Sequence, residues 1–244
     1  PLDTLKICSE HPDKQVVFLS VGFETTTPAT ALLVLKAQTQ GIHNLSVLVA
    51  NKTMPRALEA LATDAETQID GFLFPGHVCT IAGTAFYEEF CQRYAIPGVV
   101  AGFEPTEILG AILAIIKQHD EHNPRMENLY TRIVRSEGNT QARDTVGTVF
   151  EPCDAPWRGI GMIPQSGLRL RDAYRDFDAK ELFHLSENPA VNPKGCLCSE
   201  ILKGKKTPTD CPLFGKVCQP LSPVGACMVS TEGTCAAYYR YRSA

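Results

Sequence analysis

Six cysteines lie close together near the end of this 244-residue chain, which holds ten cysteines in all. They are Cys196, Cys198, Cys211, Cys218, Cys227 and Cys235. Proline and glycine recur between them, and no long helix or strand periodicity continues beyond residue 188. A segment of this composition buries too little apolar surface to fold around a core alone. We therefore expect the cysteines to hold it together.

Three chemistries could do this. Disulfides require an oxidising compartment. The first part of this chain has the pattern of cytosolic α/β enzymes, which are rarely found in such a compartment. A zinc site would have to use cysteines alone, because the last histidine is His184, and the paired C-x2-C spacing of many zinc sites is missing. An iron–sulfur cluster needs four thiolates and tolerates irregular spacing, although this spacing matches none of the common ferredoxin patterns. The residues alone leave these alternatives open.

The first 120 residues alternate strand and helix patterns four times, which predicts an α/β fold with a parallel, Rossmann-like sheet and helices on both faces. The predicted strands are 16–21, 45–50, 71–74 and 98–101. Each is followed by a predicted helix: one that ends at 40, one at 55–61, one that runs toward 93, and one that runs through 117. Residues 75–79 are predicted as a loop, and the apolar stripe from Ile108 to Ile116 as part of the core.

The patterns are weaker after residue 118. Asn128 to Arg135 has helical spacing, 157–161 and 164–167 are typical of loops, and 168–177 of a helix. We therefore predict an α/β domain at 1–120, a mixed connecting region at 121–187 and an irregular Cys-rich domain at 188–244.

A second group of candidate residues follows the predicted strands, where an open parallel sheet binds its ligands. Three loops at that edge carry reactive side chains: Glu24-Thr25-Thr26, His77 to Cys79, and Glu104. Glu24 lies in a loop where it has no helix cap to make, which favours a functional role, whereas Thr27 before Pro28 is predicted to cap a helix. A lone histidine is more often structural, and a buried, inert thiol is the default for Cys79. No Walker A lysine follows the first loop, so phosphate binding there is not expected.

Composition excludes several classes of protein. The formal net charge is -4 and no basic patch is visible, so neither nucleic acid nor an anionic membrane is an expected partner. No apolar run is long enough for a membrane helix, which predicts a soluble protein. The chain begins with Pro1, and we expect it to be a piece of a longer polypeptide.

Several motifs together resemble the HypD family of hydrogenase-maturation proteins. They are Gly22-Phe-Glu-Thr-Thr26, Pro75-Gly-His-Val78, Trp157-Arg-Gly159, Ile163-Pro-Gln-Ser-Gly-Leu168, Cys211-Pro-Leu-Phe-Gly-Lys-Val-Cys218, and the segment from Gly225 to Tyr239. The resemblance spans nearly the whole chain. It implies the second α/β domain and the [4Fe-4S] domain of a three-domain protein of the cytoplasm.

The resemblance also implies a function and a cofactor. Family members assemble the Fe(CN)2CO unit with a HypC-type chaperone and a HypE-type cyanide donor, and pass it to the large subunit of [NiFe]-hydrogenase. The family's cluster spacing, C-x14-C-x6-C-x16-C, falls on Cys196, Cys211, Cys218 and Cys235, with Cys198 and Cys227 as alternates. The cluster surroundings are similar to those of ferredoxin:thioredoxin reductase, which implies that nearby thiols relay electrons. Glu24, Thr25, Thr26, His77 and Cys79 are the implied docking or reaction residues.

One departure from the family is clear. The family's Cys-Pro-x-Cys loop, whose cysteine helps to hold the iron during assembly, does not occur in this sequence. We therefore expect this chain to lack the iron-assembly thiol. A stand-alone iron–sulfur thiol/disulfide oxidoreductase and a zinc-stabilised interaction module are the alternative functions.

Overall fold

The computed structural model describes residues 1–186 and 193–241. Two parallel sheets carry most of its strands. In the first, β1 (Val16–Gly22) pairs with β2 (Leu45–Asn51), with Val16 opposite Leu45. In the second, β3 (Phe72–Pro75), β4 (Gly98–Ala101) and β5 (Met126–Asn128) pair in that order. Two further strands, β6 (Phe150–Trp157) and β7 (Gly161–Leu170), form a two-stranded sheet. The fold is α/β, as predicted.

Helices connect these strands and form much of the cysteine-rich end. They are α1 (Asp3–Glu10), α2 (Thr27–Thr39), α3 (Met54–Thr63), α4 (Gly76–Ala82), α5 (Ala85–Tyr94), α6 (Pro105–Asp120), α7 (Thr140–Val149), α8 (Ala179–Leu182), α9 (Cys198–Leu202), α10 (Ala226–Val229) and α11 (Thr234–Tyr241), with 3-10 turns at Asp172–Phe177 and Pro208–Asp210. In the part of the chain that the structure describes, no helix is long and apolar enough to span a bilayer.

The described residues form two compact units. The first contains Pro1–Ala57, Asp70–Asp154 and Pro164–Ser186, and the second contains Leu58–Ile69, Ala155–Ile163 and the described residues from 193 onward. The core of the first unit packs α2 residues such as Leu33 and Val34 against Val47 of β2 and Phe150 of β6. The core of the second unit is built around the six clustered cysteines. The three-part domain division stays a prediction.

The four strand–helix pairs of the first 120 residues are confirmed, because each strand is an apolar run long enough to be recognised. The single sheet is wrong for the described residues, whose parallel strands pair in two separate groups. The loop predicted at 75–79 is also wrong: α4 begins at Gly76, directly after Pro75 in an extended conformation. His77 and Cys79 therefore lie on a helix rather than in a loop.

Three predictions after residue 118 are wrong as well. Asn128 ends a strand, and its side chain accepts from the Tyr130 N–H and donates to the Val134 carbonyl, which closes a turn instead of a helix. The loop predicted at 157–161 is confirmed as the turn between β6 and β7, whereas 164–167 lies within β7, where glycine and proline were compatible with strand pairing. Residues 168–177 continue β7 and then form a 3-10 turn.

The assignment of the apolar stripe of α6 to the core is only partly right: Ala114 and Ile115 pack against the cluster that contains Ala111, whereas most of the large side chains of the stripe face solvent. Leu109, Leu113 and Ile116 are 67%, 52% and 51% exposed. The side of α6 that packs inward carries Ala111, which contacts the cluster formed by Val99 and Ala101 of β4. Helical spacing identified the stripe correctly, but spacing does not say which face of a helix the rest of the fold covers.

Candidate functional site

The loop between β1 and α2 is fixed by polar contacts at the ends of β1 and β2. Gly22 has a φ of 134°, and a Cβ atom there would collide with the Thr26 hydroxyl. That hydroxyl donates to the Phe23 carbonyl at 3.1 Å and accepts from Asn51 Nδ2 at 3.3 Å. Asn51 in turn accepts from the buried Ser20 hydroxyl. Thr26 is therefore exposed but held in place by the sheet.

Thr27 does not cap α2, contrary to the prediction. The helix begins at Thr27 itself, and its hydroxyl donates backward to the Phe23 carbonyl at 2.9 Å. Pro28 still occupies the first turn, where its missing N–H costs nothing. Thr25 is exposed on the same loop.

Glu24 does cap a helix, although not its own. Its Oε1 accepts from the Met54 N–H at 2.8 Å, which is the first residue of α3. Its Oε2 is buried and has no hydrogen-bond partner in the described structure. Burial raises the pKa of the Glu24 carboxyl, and the bond from Met54 offsets this only in part. The argument that this carboxylate has no cap to make is therefore wrong, and its second oxygen is buried without a donor.

Cys79 is completely buried on α4 near Tyr87, whose buried hydroxyl has no hydrogen-bond partner in the described structure. Burial raises the pKa of its thiol to about 12, and the charge of Glu24 acts in the same direction. Thiolates are the reactive form of cysteine, so this thiol is inert at neutral pH. Burial likewise raises the pKa of Tyr87. Glu24 and Cys79 are thus neighbours, as expected of one site, but Cys79 has the character of a packing residue.

His77 belongs to a different, exposed group at the ends of β3 and β4. Its ring lies 4.2 Å from that of Phe103, which in turn meets Tyr130 edge-on at 6.4 Å. Arg132 lies 4.8 Å above the Tyr130 ring and forms an ion pair with Glu107 at 2.8 Å. None of the contacts of the described residues joins His77 to Glu24. The five cleft candidates therefore fall into a Glu24–Cys79 pair, the exposed Thr25 and Thr26, and a separate His77.

All six clustered cysteines pack together in the second unit. Five of them are buried, with Cys196 at the edge of the cluster. Burial and the neighbouring thiols raise the pKa of Cys235 to about 11 and raise that of Cys196 as well. Four soft, enclosed thiols at the family spacing are therefore present in one place: Cys196, Cys211, Cys218 and Cys235.

The surroundings of these thiols fit an iron–sulfur cluster. The Val224 N–H points at the Cys218 sulfur at 3.4 Å, as N–H groups do around cluster thiolates. Gly225 passes so close to the Cys196 sulfur that a Cβ atom would lie 2.5 Å from it. Among residues 1–186 and 193–241, no three His, Cys, Asp or Glu side chains converge as they would around a single ion. A cubane cluster binds one thiolate at each of its four irons, so its ligands need not converge on a single ion.

Cys198 and Cys227 contact each other within this cluster. Their thiols are hydrogen-bonded, and the Cys227 sulfur lies 4.0 Å from the Cys198 carbonyl oxygen. The hydrogen bond from Cys227 lowers the pKa of Cys198, helped by the N–H groups of Cys227 and Ala226 and by the charge of Arg158, while burial opposes them. The same bond raises the pKa of Cys227. The two alternates are thus paired with each other, a relationship that spacing along the sequence did not reveal.

Fold and site together define an α/β protein with a buried cluster of cysteines in its second unit. The comparisons with known proteins then give the family. A model of HypD, described as the hydrogenase formation hypA family, matches residues 1–242. The chain belongs to the HypD family, which confirms the resemblance seen in its motifs.

Curated relatives agree with this assignment. The hydrogenase maturation factor HypD of Azotobacter vinelandii is 43% identical over 99% of this chain. The factor of the same name from Cupriavidus necator is 44% identical over 98%. A putative hydrogenase expression/formation protein of Methanocaldococcus jannaschii is 43% identical over 98%. The chain spans 65%, 65% and 67% of the length of these three relatives.

Proposed function

We propose that this chain acts in the maturation of [NiFe]-hydrogenase, as the iron–sulfur part of a HypD-type assembly scaffold. Membership of the family supports the pathway, and the buried cluster of six cysteines is the observation that supports the chemical role. In this proposal the scaffold works with a HypC-type chaperone and a HypE-type cyanide donor. The Fe(CN)2CO unit that they assemble is the cargo delivered to the hydrogenase large subunit. The cytoplasmic location stays a prediction.

Four cysteines would hold a [4Fe-4S] cluster: Cys196, Cys211, Cys218 and Cys235. When bound, such a cluster supplies a one-electron centre. The chain encloses the four thiols in an apolar environment, and the Val224 N–H is placed to stabilise the thiolate of Cys218. Since burial raises the pKa of Cys235, loading must displace protons from the thiols.

Cys198 and Cys227 are assigned a different role, as a dithiol/disulfide pair. Their contact with each other in the cluster supports this assignment over that of spare ligands. A Cys198 thiolate would attack the disulfide of a partner protein and release one partner thiolate. The Cys227 thiolate would then displace the second one, which leaves a Cys198–Cys227 disulfide and a fully reduced partner. Two electrons pass to the partner, and the two protons lost by the cysteines balance its two new thiols.

Iron and sulfide content test the cluster assignment. We expect about four iron and four sulfide per anaerobically purified chain, as four thiolates on a cubane require. Cys211→Ala should remove most of this iron, whereas Cys227→Ser should leave the iron in place and abolish the intramolecular disulfide seen by mass spectrometry after mild oxidation. Stoichiometric zinc without visible absorption would contradict the cluster.

A maturation assay tests the pathway. Each substitution, placed in a full-length protein of the family, should prevent activation of a [NiFe]-hydrogenase reporter. If Cys227→Ser leaves activation normal while Cys211→Ala prevents it, the dithiol role is wrong and the cluster role stands.

A stand-alone thiol/disulfide oxidoreductase is the second candidate, and the Cys198–Cys227 contact favours it as well. The two functions differ in what else they need. An oxidoreductase should reduce a simple disulfide such as oxidised glutathione without any maturation partner, whereas the scaffold should not turn over on such a substrate.

A further inference from the structure

Two neighbouring turns of the cysteine-rich unit form one exposed, hydrogen-bonded surface. The first turn joins Cys211 to Cys218, and the Cys218 N–H closes it by donating to the Leu213 carbonyl at 3.0 Å. The second is closed by two backbone hydrogen bonds between Gln219 and Ser222, at 3.0 and 3.3 Å. Both ends of the first turn are buried thiols, whereas residues 215–217 between them are exposed. Residues 213–222 are called the turn pair below.

The turn pair presents apolar side chains to solvent. Val217 is 60% exposed and Leu221 is 100% exposed. The Ser222 hydroxyl donates to the Val217 carbonyl at 3.3 Å, so the two turns are joined and both apolar residues belong to the same surface. Because hydrogen bonds already fix the backbone, burying these side chains against a partner costs little conformational entropy. Neighbouring exposed apolar side chains on such a preorganised surface are typical of a protein-docking site.

Two exposed lysines border these apolar side chains. Lys216 lies in the first turn, and Lys194 lies in a turn that touches it. The contact is made by Gly195, whose carbonyl oxygen lies 3.9 Å from the Cys211 sulfur and whose Cβ, if it had one, would lie 3.8 Å from Leu213. Among the described residues, neither lysine pairs with a carboxylate. Both charges are therefore free to meet a partner.

The charge around the turn pair is positive overall. Residues 193–241 carry six lysines and arginines against three aspartates and glutamates, whereas the whole chain has a formal net charge of -4. Asp210, next to the first turn, is occupied, since its carboxylate accepts from the Thr207 N–H at 2.7 Å and from the Thr207 hydroxyl at 3.0 Å. Two unpaired lysines beside apolar side chains fit an acidic patch on a protein, whereas the dense charge of a nucleic acid or a membrane requires more of them.

We propose that the turn pair docks a small one-electron carrier protein with an acidic face. The inference rests on the proposed function, because Cys211 and Cys218, at the two ends of the first turn, are proposed cluster ligands. A carrier seated on the turn pair lies directly over these ligands. Interfaces between redox partners are commonly small, as this surface is.

The electron count of this step balances. The docked carrier gives one electron to the oxidised cluster and leaves in its own oxidised form, with no bond made or broken and no proton moved. Two such transfers supply the two electrons that return the Cys198–Cys227 disulfide to the dithiol, and two protons from solvent complete the thiols. The carrier therefore restores the reduced state that the proposed function consumes.

Calorimetric titration measures docking without depending on electron transfer. The purified iron-loaded protein would be titrated with an acidic [2Fe-2S] ferredoxin, an acidic flavodoxin and, as a basic one-electron carrier, cytochrome c. We expect at least one acidic carrier to bind, with an affinity that falls about tenfold or more between about 20 and 200 mM salt, because salt screens charges across an exposed interface. Cytochrome c should bind about tenfold more weakly or not at all.

Variants assign the docking to the turn pair. The double change Lys194→Glu and Lys216→Glu should weaken binding of the acidic carrier about tenfold or more, because it replaces attraction by repulsion. Leu221→Ala should weaken it by about threefold to tenfold through lost apolar contact. Lys117→Glu and Leu109→Ala are the matched controls, since both residues are exposed on α6, and neither change should alter the affinity. Iron content and melting curves establish that each variant keeps its metal and its fold.

A reduction assay adds a second readout. The reduced acidic carrier should bleach the visible absorption of the iron–sulfur protein about tenfold more slowly in the double lysine variant than in the wild-type protein. Dithionite, a small reductant that needs no docking surface, should bleach both at the same rate. A slower reaction with dithionite as well would mean that the variant had damaged the cluster environment.

Four outcomes would overturn the proposal. Neither acidic carrier binds at about millimolar concentration, cytochrome c binds as tightly as they do, the turn-pair variants bind as tightly as the controls, or the variants weaken binding of a HypC-type chaperone and not of a carrier. Absence of iron would contradict the proposed function instead. The titration would then still test the docking surface, because binding alone needs no cluster.

Discussion

The Glu24 carboxyl group links two loops through one hydrogen bond and buries its second oxygen without a partner. Burial raises its pKa in the folded protein above the ordinary value near 4.5, so the folded state holds this proton more tightly than the unfolded state does. The resulting contribution to stability is fully present below the ordinary pKa. It is lost as pH rises through the higher, folded-state pKa.

Glu24→Gln should remove this pH dependence. Relative to the variant, the wild-type protein should lose free energy of unfolding as pH rises from 4.5 through the folded-state pKa, and the difference should then stay constant. Chemical denaturation at a series of pH values measures it. Glu89→Gln, which removes an exposed carboxylate paired with Arg93, should show no such trend. A difference that is independent of pH would mean that Glu24 is ionised in the same way in both states.

Single residues were predictable from sequence to the extent that their chemistry is local. The cysteine cluster follows from composition and spacing, and it is found as a packed group. The contact between Glu24 and Met54 spans thirty positions, and the pairing of Cys198 with Cys227 spans twenty-nine. Such contacts depend on which distant segments the fold brings together, and a single sequence does not reveal this. Ser20 gave the only hint of the polar network below Thr26, as a hydroxyl inside an apolar strand.

At the scale of elements, strands were easier to predict than helix faces. β1, β2, β3 and β4 are short apolar runs, which identified them as strands. Burial on both faces, which such runs also predict, is wrong for β1, where Leu19 and Val21 are 64% and 69% exposed. The stretch at 128–135 has helical spacing, yet it forms a turn, because the Asn128 side chain hydrogen-bonds to the backbone of Tyr130 and Val134. Helix α6 was identified at the right place, but only part of its apolar stripe packs against β4.

The exposure of α6 leads to a stability prediction. Leu113→Ala should change the free energy of unfolding by about 0.5 kcal/mol or less, because its side chain is half exposed and leaves no cavity. Leu33→Ala on α2 is the matched control for a fully buried leucine, and it should cost about 2–5 kcal/mol. Urea denaturation of both variants measures the difference. Equal losses would mean that the α6 stripe is covered in solution.

At the scale of the whole molecule, the two units differ in the interactions that stabilise each of them internally. The first has a core of aliphatic and aromatic side chains, whereas the second is built on cysteines and a few ion pairs. Lys203 lies 2.6 Å from Asp64 and accepts a backbone hydrogen bond from Gln68, so the 58–69 segment is tied to the cysteine-rich end. The expectation that cysteines alone hold this end together was therefore incomplete.

This difference predicts that loss of a proposed cluster ligand loosens one unit and spares the other. Relative to the iron-loaded wild-type protein, Cys211→Ala should speed amide exchange at Phe214 and Cys218 by about tenfold or more. The N–H groups of these two residues bond within the turn that Cys211 begins. Exchange along β2, for example at Val47, should be unchanged. The buried Cys8 of the first unit supplies the matched control, because Cys8→Ala removes a thiol that carries no metal role.

Cys8→Ala should produce the opposite pattern: amide exchange should become faster in β2 and stay unchanged in the 214–218 turn. The reason is that the cavity left by the removed thiol lies in the aliphatic core. Hydrogen exchange followed by mass spectrometry resolves the two segments. If Cys211→Ala loosened both units equally, the cluster would stabilise the chain globally, and metal binding would be coupled to folding of the whole molecule rather than of the cysteine-rich unit. If it loosened neither, the four thiols would be packed well enough without metal, and the second unit would fold around sulfur and aliphatic contacts alone.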